Sequence, residues 1–112
     1  MVRIVKKIHQ EKGVVHTIQV DDKTVDVLFL HHAIERMKKW KISEDTVAET
    51  LAIPEEVLSG HKGRYIAHRR YGNHIVRAIY EYEGKLPVLV TVYFPYAKRY
   101  FQQGGKYEDK IF

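Results

Sequence analysis

Around residue 30 the spacing of apolar residues changes from that of strands to that of a helix, and near residue 64 it changes back. Any fold for this chain must set helices between two blocks of β structure. At about 100° per residue, Leu30, Ala33, Ile34, Met37 and Trp40 fall on one stripe, as in a helix packed on a core. This helix is expected to run to about Lys41, with Trp40 as a core ring. Along the edge of the stripe, His32, Arg36 and Trp40 follow one another at i, i+4 and i+8 and form a ridge. Ser43 suits the N-cap of a second helix, and Glu44 and Asp45 place negative charge where the helix dipole favours it. Val47, Ala48 and Leu51 give that helix its inner face, and Pro54 ends it near Ala52. Residues 54–60 read as one further helical turn, opened by Pro54 and stopped by Gly60.

The flanking blocks have the period and residue types of strands. Runs at 2–8, 14–20 and 24–30 are separated by Gln10-Glu11-Lys12-Gly13 and by Asp21-Asp22-Lys23, which predicts a three-stranded meander. In the middle run Val14, His16, Ile18 and Val20 share the more apolar face. Beyond residue 64, runs at 64–71 and 74–82 meet at Gly72-Asn73, a two-residue hairpin signal. That loop sets Tyr71 opposite His74, His68 opposite Arg77 and Arg64 opposite Glu81. A third run, 86–94, follows Glu83-Gly84-Lys85. A three-residue bulged loop there puts Tyr65, Ala67, Val76, Ala78, Tyr80, Val88, Val90, Val92 and Phe94 on the floor beneath the helices. Arg64, His68, Arg70, Arg77, Thr91 and Tyr93 then share the other face, whereas a two-residue loop inverts the third run. Pro87 argues against a fully paired position at the start of that run.

A chain of 112 residues fits one domain, 1–112, with a core large enough to stand without staples. It has no cysteine, which removes disulfides and thiolate metal sites from consideration. Its seven histidines are scattered, with no pair at i, i+4, so neither a metal nor any other cofactor is expected. The N-terminus alternates charged and apolar residues where a signal peptide needs a continuous apolar block, and no run approaches a membrane span. A soluble cytoplasmic protein is the expectation. A net charge of +5, with nineteen Lys plus Arg and eight Tyr, suits phosphate backbones and exposed bases. The tail gathers Tyr96, Lys98, Arg99 and Tyr100 before Gly104-Gly105, a mixture able to track phosphates and stack bases or to lie over a sheet edge. Gly104-Gly105 has no strand before it and no helix after it, so it is not read as a phosphate loop.

The segment His32-Ala33-Ile34-Glu35-Arg36-Met37, then Ile42-Ser43-Glu44-Asp45, Pro54, the Gly72-Asn73 hairpin, Arg77 and Val90-Thr91-Val92-Tyr93 resembles a small family catalogued as a domain of unknown function and grouped with the RelE-like toxins. The resemblance covers residues 30–101, leaving 1–29 as an N-terminal β elaboration and 102–112 as a tail. It implies an α+β fold of RelE type, with two helices and a short helical turn packed on an antiparallel sheet. It also implies a metal-independent endoribonuclease, the toxin of a toxin–antitoxin pair, with RNA, ribosome-bound mRNA included, and a small antitoxin protein as partners. His32, Arg36, Arg77, Thr91 and Tyr93 carry over from its motifs.

Metal-free RNA cleavage needs a base for the 2′-hydroxyl, donors for the phosphorane and an acid for the 5′-oxygen. His32 and His68 suit the proton roles, Arg36, Arg70 and Arg77 the phosphate, and Tyr93 either proton donation or stacking. Arg70, Thr91, Lys98, Arg99 and Tyr100 make up the expected nucleic-acid contacts. The plain alternatives are a solvated helix edge for His32 and Arg36, and an exposed cross-strand pair for His68 and Arg77. A non-catalytic module binding nucleic acid or protein on the same fold is the competing reading.

Overall fold

Three strands, β1 (Val2–His9), β2 (Gly13–Val20) and β3 (Lys23–Leu30), open the computed structural model as an antiparallel meander, with the order and turns the alternation predicts. The structure describes residues 1–100, the side chain of Tyr100 excepted, and 106–112. A helix, α1 (His31–Trp40), starts directly from β3 and ends at Lys41, whose left-handed backbone (φ 56°) closes it. The helix α2 (Glu44–Ala52) follows, its first turn capped by Ser43 Oγ, which accepts from Thr46 N at 3.1 Å. Strands β4 (Glu56–Ser59), β5 (Tyr65–Tyr71), β6 (His74–Glu83) and β7 (Leu86–Tyr93) come next, and the short helix α3 (Ala97–Tyr100) follows them.

All seven strands form one sheet in the order β1-β2-β3-β7-β6-β5-β4. The two blocks join through a brief parallel contact, Leu28 beside Val88 and Phe29 beside Leu89. Past that point the chain leaves β3 for α1, which packs against β7 and β3. The main core gathers Ile18, Val27 and Phe29 of the meander, Ala33 and Met37 of α1, Val47, Ala48 and Leu51 of α2, and Ala78, Tyr80 and Val92 of the second block. On the far face Val15, Leu28 and Val88 make a smaller apolar cluster. The architecture is mixed α+β.

Three expectations are corrected. Residues 54–60 contain no helical turn: β4 lies there, with Glu56 opposite His68 and Val57 opposite Ala67. Val57 and Glu56 are both fully buried, and only strand pairing lets neighbouring residues point to opposite faces and each find a buried partner. The second hairpin turns on two residues, Gly84 (φ 64°) and Lys85, with Glu83 opposite Leu86. This puts Leu89, rather than Val88, in the main core beside Tyr80. The register then shifts between Ile79 and Tyr80, leaving Val90 as the extra residue, and sets Ala78 opposite Val92, on the face where both were expected. Such a bulge returns the outer half of the strand to its expected face. Finally, Trp40 is 37% exposed rather than a core ring, because α1 ends at the rim of the sheet. Pro87 lies opposite Tyr82, one residue before the β3 ladder begins at Val88, so its missing N–H costs that ladder nothing.

Candidate functional site

The Gly72-Asn73 hairpin has the expected register, from Tyr71 opposite His74 through His68 opposite Arg77. Arg64 Nε donates to Glu81 Oε1 at 2.8 Å, as a cross-strand pair at that spacing should. On the next strands, Glu56 lies opposite His68 and Arg77 opposite Tyr93. Glu56, His68, Arg77 and Tyr93 therefore form one row across four strands, on the face away from the main core. Exposure rises along it. Glu56 and His68 are wholly buried, Arg77 is partly buried, and Tyr93 is 37% exposed.

Hydrogen bonds run along this row. His68 Nδ1 is 2.7 Å from Glu56 Oε2, and Arg77 Nη1 is 2.8 Å from His68 Nε2. A guanidinium can only donate, so Nε2 accepts and the ring's single proton sits on Nδ1, donated to Glu56. His68 is neutral in this arrangement. Burial holds its pKa below the ordinary histidine value and the Arg77 charge adds to the depression, while the Glu56 carboxylate only partly offsets them. The result is an arginine whose Nη1 is anchored from behind through a buried imidazole to a buried carboxylate.

The exposed end of the row opens into a cleft of about 300 Å³ lined by Trp40, Arg77, Ile79, Tyr93, Phe94 and Pro95. It offers a cation, a phenol and an indole to one ligand. Thr91 shares the face, opposite Ile79, and is 7% exposed. Its hydroxyl has no hydrogen-bond partner among the described residues.

Of the residues expected at a site, the structure brings Arg77 and Tyr93 into this cleft, with His68 directly behind Arg77. His32 is exposed and Arg36 half-buried on α1. They lie on the ridge that ends at Trp40, and neither lines the cleft. Arg70 is on β5, its backbone N–H donating to Glu55 Oε1 at 2.6 Å, and it lines a separate hollow with Tyr96 and Lys98. Lys98 and Arg99 are exposed on α3. The Tyr100 side chain, and residues 101–105 of the tail with Gly104-Gly105, lie outside the described residues. Among the described residues no three His, Asp or Glu come together to hold a metal ion, and no helix is long and apolar enough to cross a membrane.

Sequence reasoning missed Glu56 and the exposure of Trp40. No signal within 54–60 gives Glu56 away, because Val57 favours a strand while Leu58 beside it suits a helix.

The fold and cleft define a small α+β protein with an arginine site on one sheet face. The chain belongs to the family described as domain of unknown function (DUF4258), which matches residues 29–94. That span begins at the end of β3, contains α1, α2 and β4 to β7, and so holds every residue of the row. No curated protein and no solved structure matches the chain.

Proposed function

We propose that this protein is a metal-independent endoribonuclease of the RelE-like kind, the toxin of a toxin–antitoxin pair. The observation that carries this reading is the anchoring of Arg77. Attack of a 2′-hydroxyl on the neighbouring phosphorus builds negative charge on the phosphorane oxygens, and a fixed guanidinium at the mouth of a cleft is matched to it. Glu56 and His68 act as positioning residues that keep the Arg77 fork aimed. Tyr93, across the strand pair from Arg77, donates a proton to the departing 5′-oxygen. His32, on the ridge that leads to Trp40, does not line the cleft, so a solvent water takes the proton from the 2′-hydroxyl. The 2′-oxygen–phosphorus bond forms as the 5′-oxygen–phosphorus bond breaks, leaving a 2′,3′-cyclic phosphate and a free 5′-hydroxyl. Trp40 supplies a face for a base beside the cut.

Purified protein incubated with RNA, with and without ribosomes, tests this directly. The wild type is expected to cleave, and Arg77→Ala to lose about 10²- to 10³-fold in rate, the usual cost of removing one oxyanion donor. Intact RNA in both conditions, together with normal growth of cells expressing the protein alone, overturns the reading. Thr91→Val adds a second check. Replacing an unpartnered buried hydroxyl with a methyl group is expected to raise stability by about 1 kcal/mol. Any accompanying loss of cleavage assigns the hydroxyl to substrate. A short acidic protein encoded in the neighbouring reading frame is the expected antitoxin.

The exposed cations of α3, Lys98 and Arg99, favour a second reading in which the chain binds RNA without cutting it. In that case RNA affinity survives His32→Ala and His68→Ala, and no variant cleaves.

A further inference from the structure

Three rings stack in a column beside the cleft. The Phe94 and His74 rings lie 4.7 Å apart and 15° from parallel, and His74 and Tyr96 lie 4.5 Å apart at 29°. The backbone makes this column rigid, because the chain after β7 continues to pair with the start of β6. Ile75 N donates to Pro95 O at 3.0 Å, Ala97 N donates to Asn73 O at 2.9 Å, and His74 bridges to Tyr96. Phe94 at one end lines the Arg77 cleft. Tyr96 at the other end is 57% exposed and lines a hollow of about 560 Å³ with Arg70, Gly72, Asn73, Ala97 and Lys98. Tyr96 is thus exposed, held by its stack on His74 and flanked by Arg70 and Lys98, as a base-stacking platform beside a phosphate requires.

We propose that this hollow is a second nucleotide subsite, taking the base and phosphate of a nucleotide that flanks the cut. It rests on the ribonuclease reading and narrows the substrate to unpaired RNA. A base stacks on the Tyr96 ring, which is indifferent to its identity because every base has a π face. The ammonium of Lys98 neutralises the adjoining phosphate. The Asn73 amide, which carries both a donor and an acceptor, meets the edge of the stacked base and gives the subsite a preference. The ring column spans the interval between the two hollows, so an RNA strand crossing it must be unstacked, as only a single strand or loop can be.

Fluorescence anisotropy with a labelled single-stranded RNA dodecamer, and with the same sequence annealed to its complement, tests the subsite. Tyr96→Ala is expected to weaken single-strand binding about tenfold, since stacking on one aromatic contributes roughly 1–3 kcal/mol per base. Tyr96→Phe keeps the ring and the affinity. Lys98→Gln, which leaves the column alone, lowers the slope of log affinity against log salt by about one. For cleavage, the Tyr96→Ala defect is expected on the dodecamer and not on a dinucleotide, which fills only the Arg77 cleft. If the wild type cleaves the dodecamer while Tyr96→Ala and Lys98→Gln bind and cut it as the wild type does, the subsite is overturned and the ribonuclease reading stands. Wild-type affinity equal for single strand and duplex also overturns it. A wild type that neither binds nor cleaves RNA overturns both.

Discussion

Two histidines of this protein are buried against glutamates, on opposite faces of one sheet, and they do different work. His68 meets Glu56 where both are fully buried, and its second nitrogen accepts from Arg77. His16 is nearly as buried, stacked 3.9 Å from the Phe29 ring, but its partner Glu44 is 42% exposed and is also held by Lys7 at 3.2 Å. Its other nitrogen faces the carbonyl of Val14 at 3.1 Å. A histidine–glutamate pair aimed at a guanidinium fixes a cation at a cleft. The same pair aimed at the first turn of α2 ties the N-terminal meander to the helices, joining residues before the family span to residues within it. Hydrogen-bond length is nearly the same in the two, and what separates them is solvent on the carboxylate and the identity of the third group.

The sharpest way to break this comparison is to remove the two carboxylates in turn. Glu56→Ala leaves an imidazole and a guanidinium beside an empty buried position. The expected loss is about 3–5 kcal/mol, a fall in melting temperature on the order of 15 °C. Glu56→Gln keeps an acceptor for His68 Nδ1 and is expected to retain more stability than alanine. Glu44→Ala, with water able to reach the vacated place, is expected to lose about 1 kcal/mol or less. Denaturant unfolding of the three variants decides it, and equal losses for Glu56→Ala and Glu44→Ala would mean that burial does not distinguish the pairs.

Much of the geometry behind that contrast is legible in local sequence. Gly72-Asn73 alone sets His68 opposite Arg77, because a two-residue loop leaves the register no freedom. Ser43 with Glu44 and Asp45 marks the start of α2, and Lys41 supplies the left-handed stop of α1 at the place where the apolar stripe ends. The remainder depends on contacts distant in sequence. Nothing within 54–60 tells a helical turn from β4, because Pro and Gly bracket both, and Glu56 is strand-like only because His68, twelve residues on, accepts it as a neighbour. The second hairpin hides two departures that cancel, the short Gly84-Lys85 loop and the bulge at Val90, so a single assumed loop gets Ala78 and Val92 right and exchanges Val88 for Leu89. Trp40 ends its stripe at the rim of the sheet, which periodicity along α1 cannot register. The row and the cleft at its end hold both kinds of residue, with Arg77 and Tyr93 readable and the exposed Trp40 of the cleft and the buried Glu56 of the row not.

Acid separates the pairs by the pH at which each fails. An unfolded histidine titrates near 6.5. Since the fold depresses the His68 pKa, the unfolded chain takes up a proton below that pH which the fold refuses. The stability present above about 6.5 is therefore lost as pH falls toward the depressed value. At Glu44 burial pushes the pKa up, but hydrogen bonds from His16 and Lys7 outweigh it and leave the carboxyl below its ordinary 4.5. Its contribution is whole above about 4.5 and disappears only as pH falls through the lowered value. Urea midpoints measured across the acid range are thus expected to decline in two stages. His68→Gln, which can still accept from Arg77 but does not titrate, should abolish the upper stage, and Glu44→Gln the lower one.

Salt gives the smallest effect and separates the exposed half of the comparison by itself. Lys7 and Glu44 side chains are 47% and 42% exposed, so the ion pair is largely screened by water before any salt is added. Lys7→Ala is expected to lose about 0.2–1 kcal/mol at low ionic strength, and most of that difference should vanish near 1 M salt, where the Debye length falls to about 3 Å. The loss in Glu56→Gln, measured in the same series, should not change with salt, because no counterion reaches a wholly buried carboxylate. Lys7 also lines the hollows between β1 and the helices, beside Ile34 and Met37. A Lys7→Ala loss that persists in salt therefore identifies its methylene stem as packing over that apolar floor, and makes His16 rather than Lys7 the group that holds Glu44 to the meander.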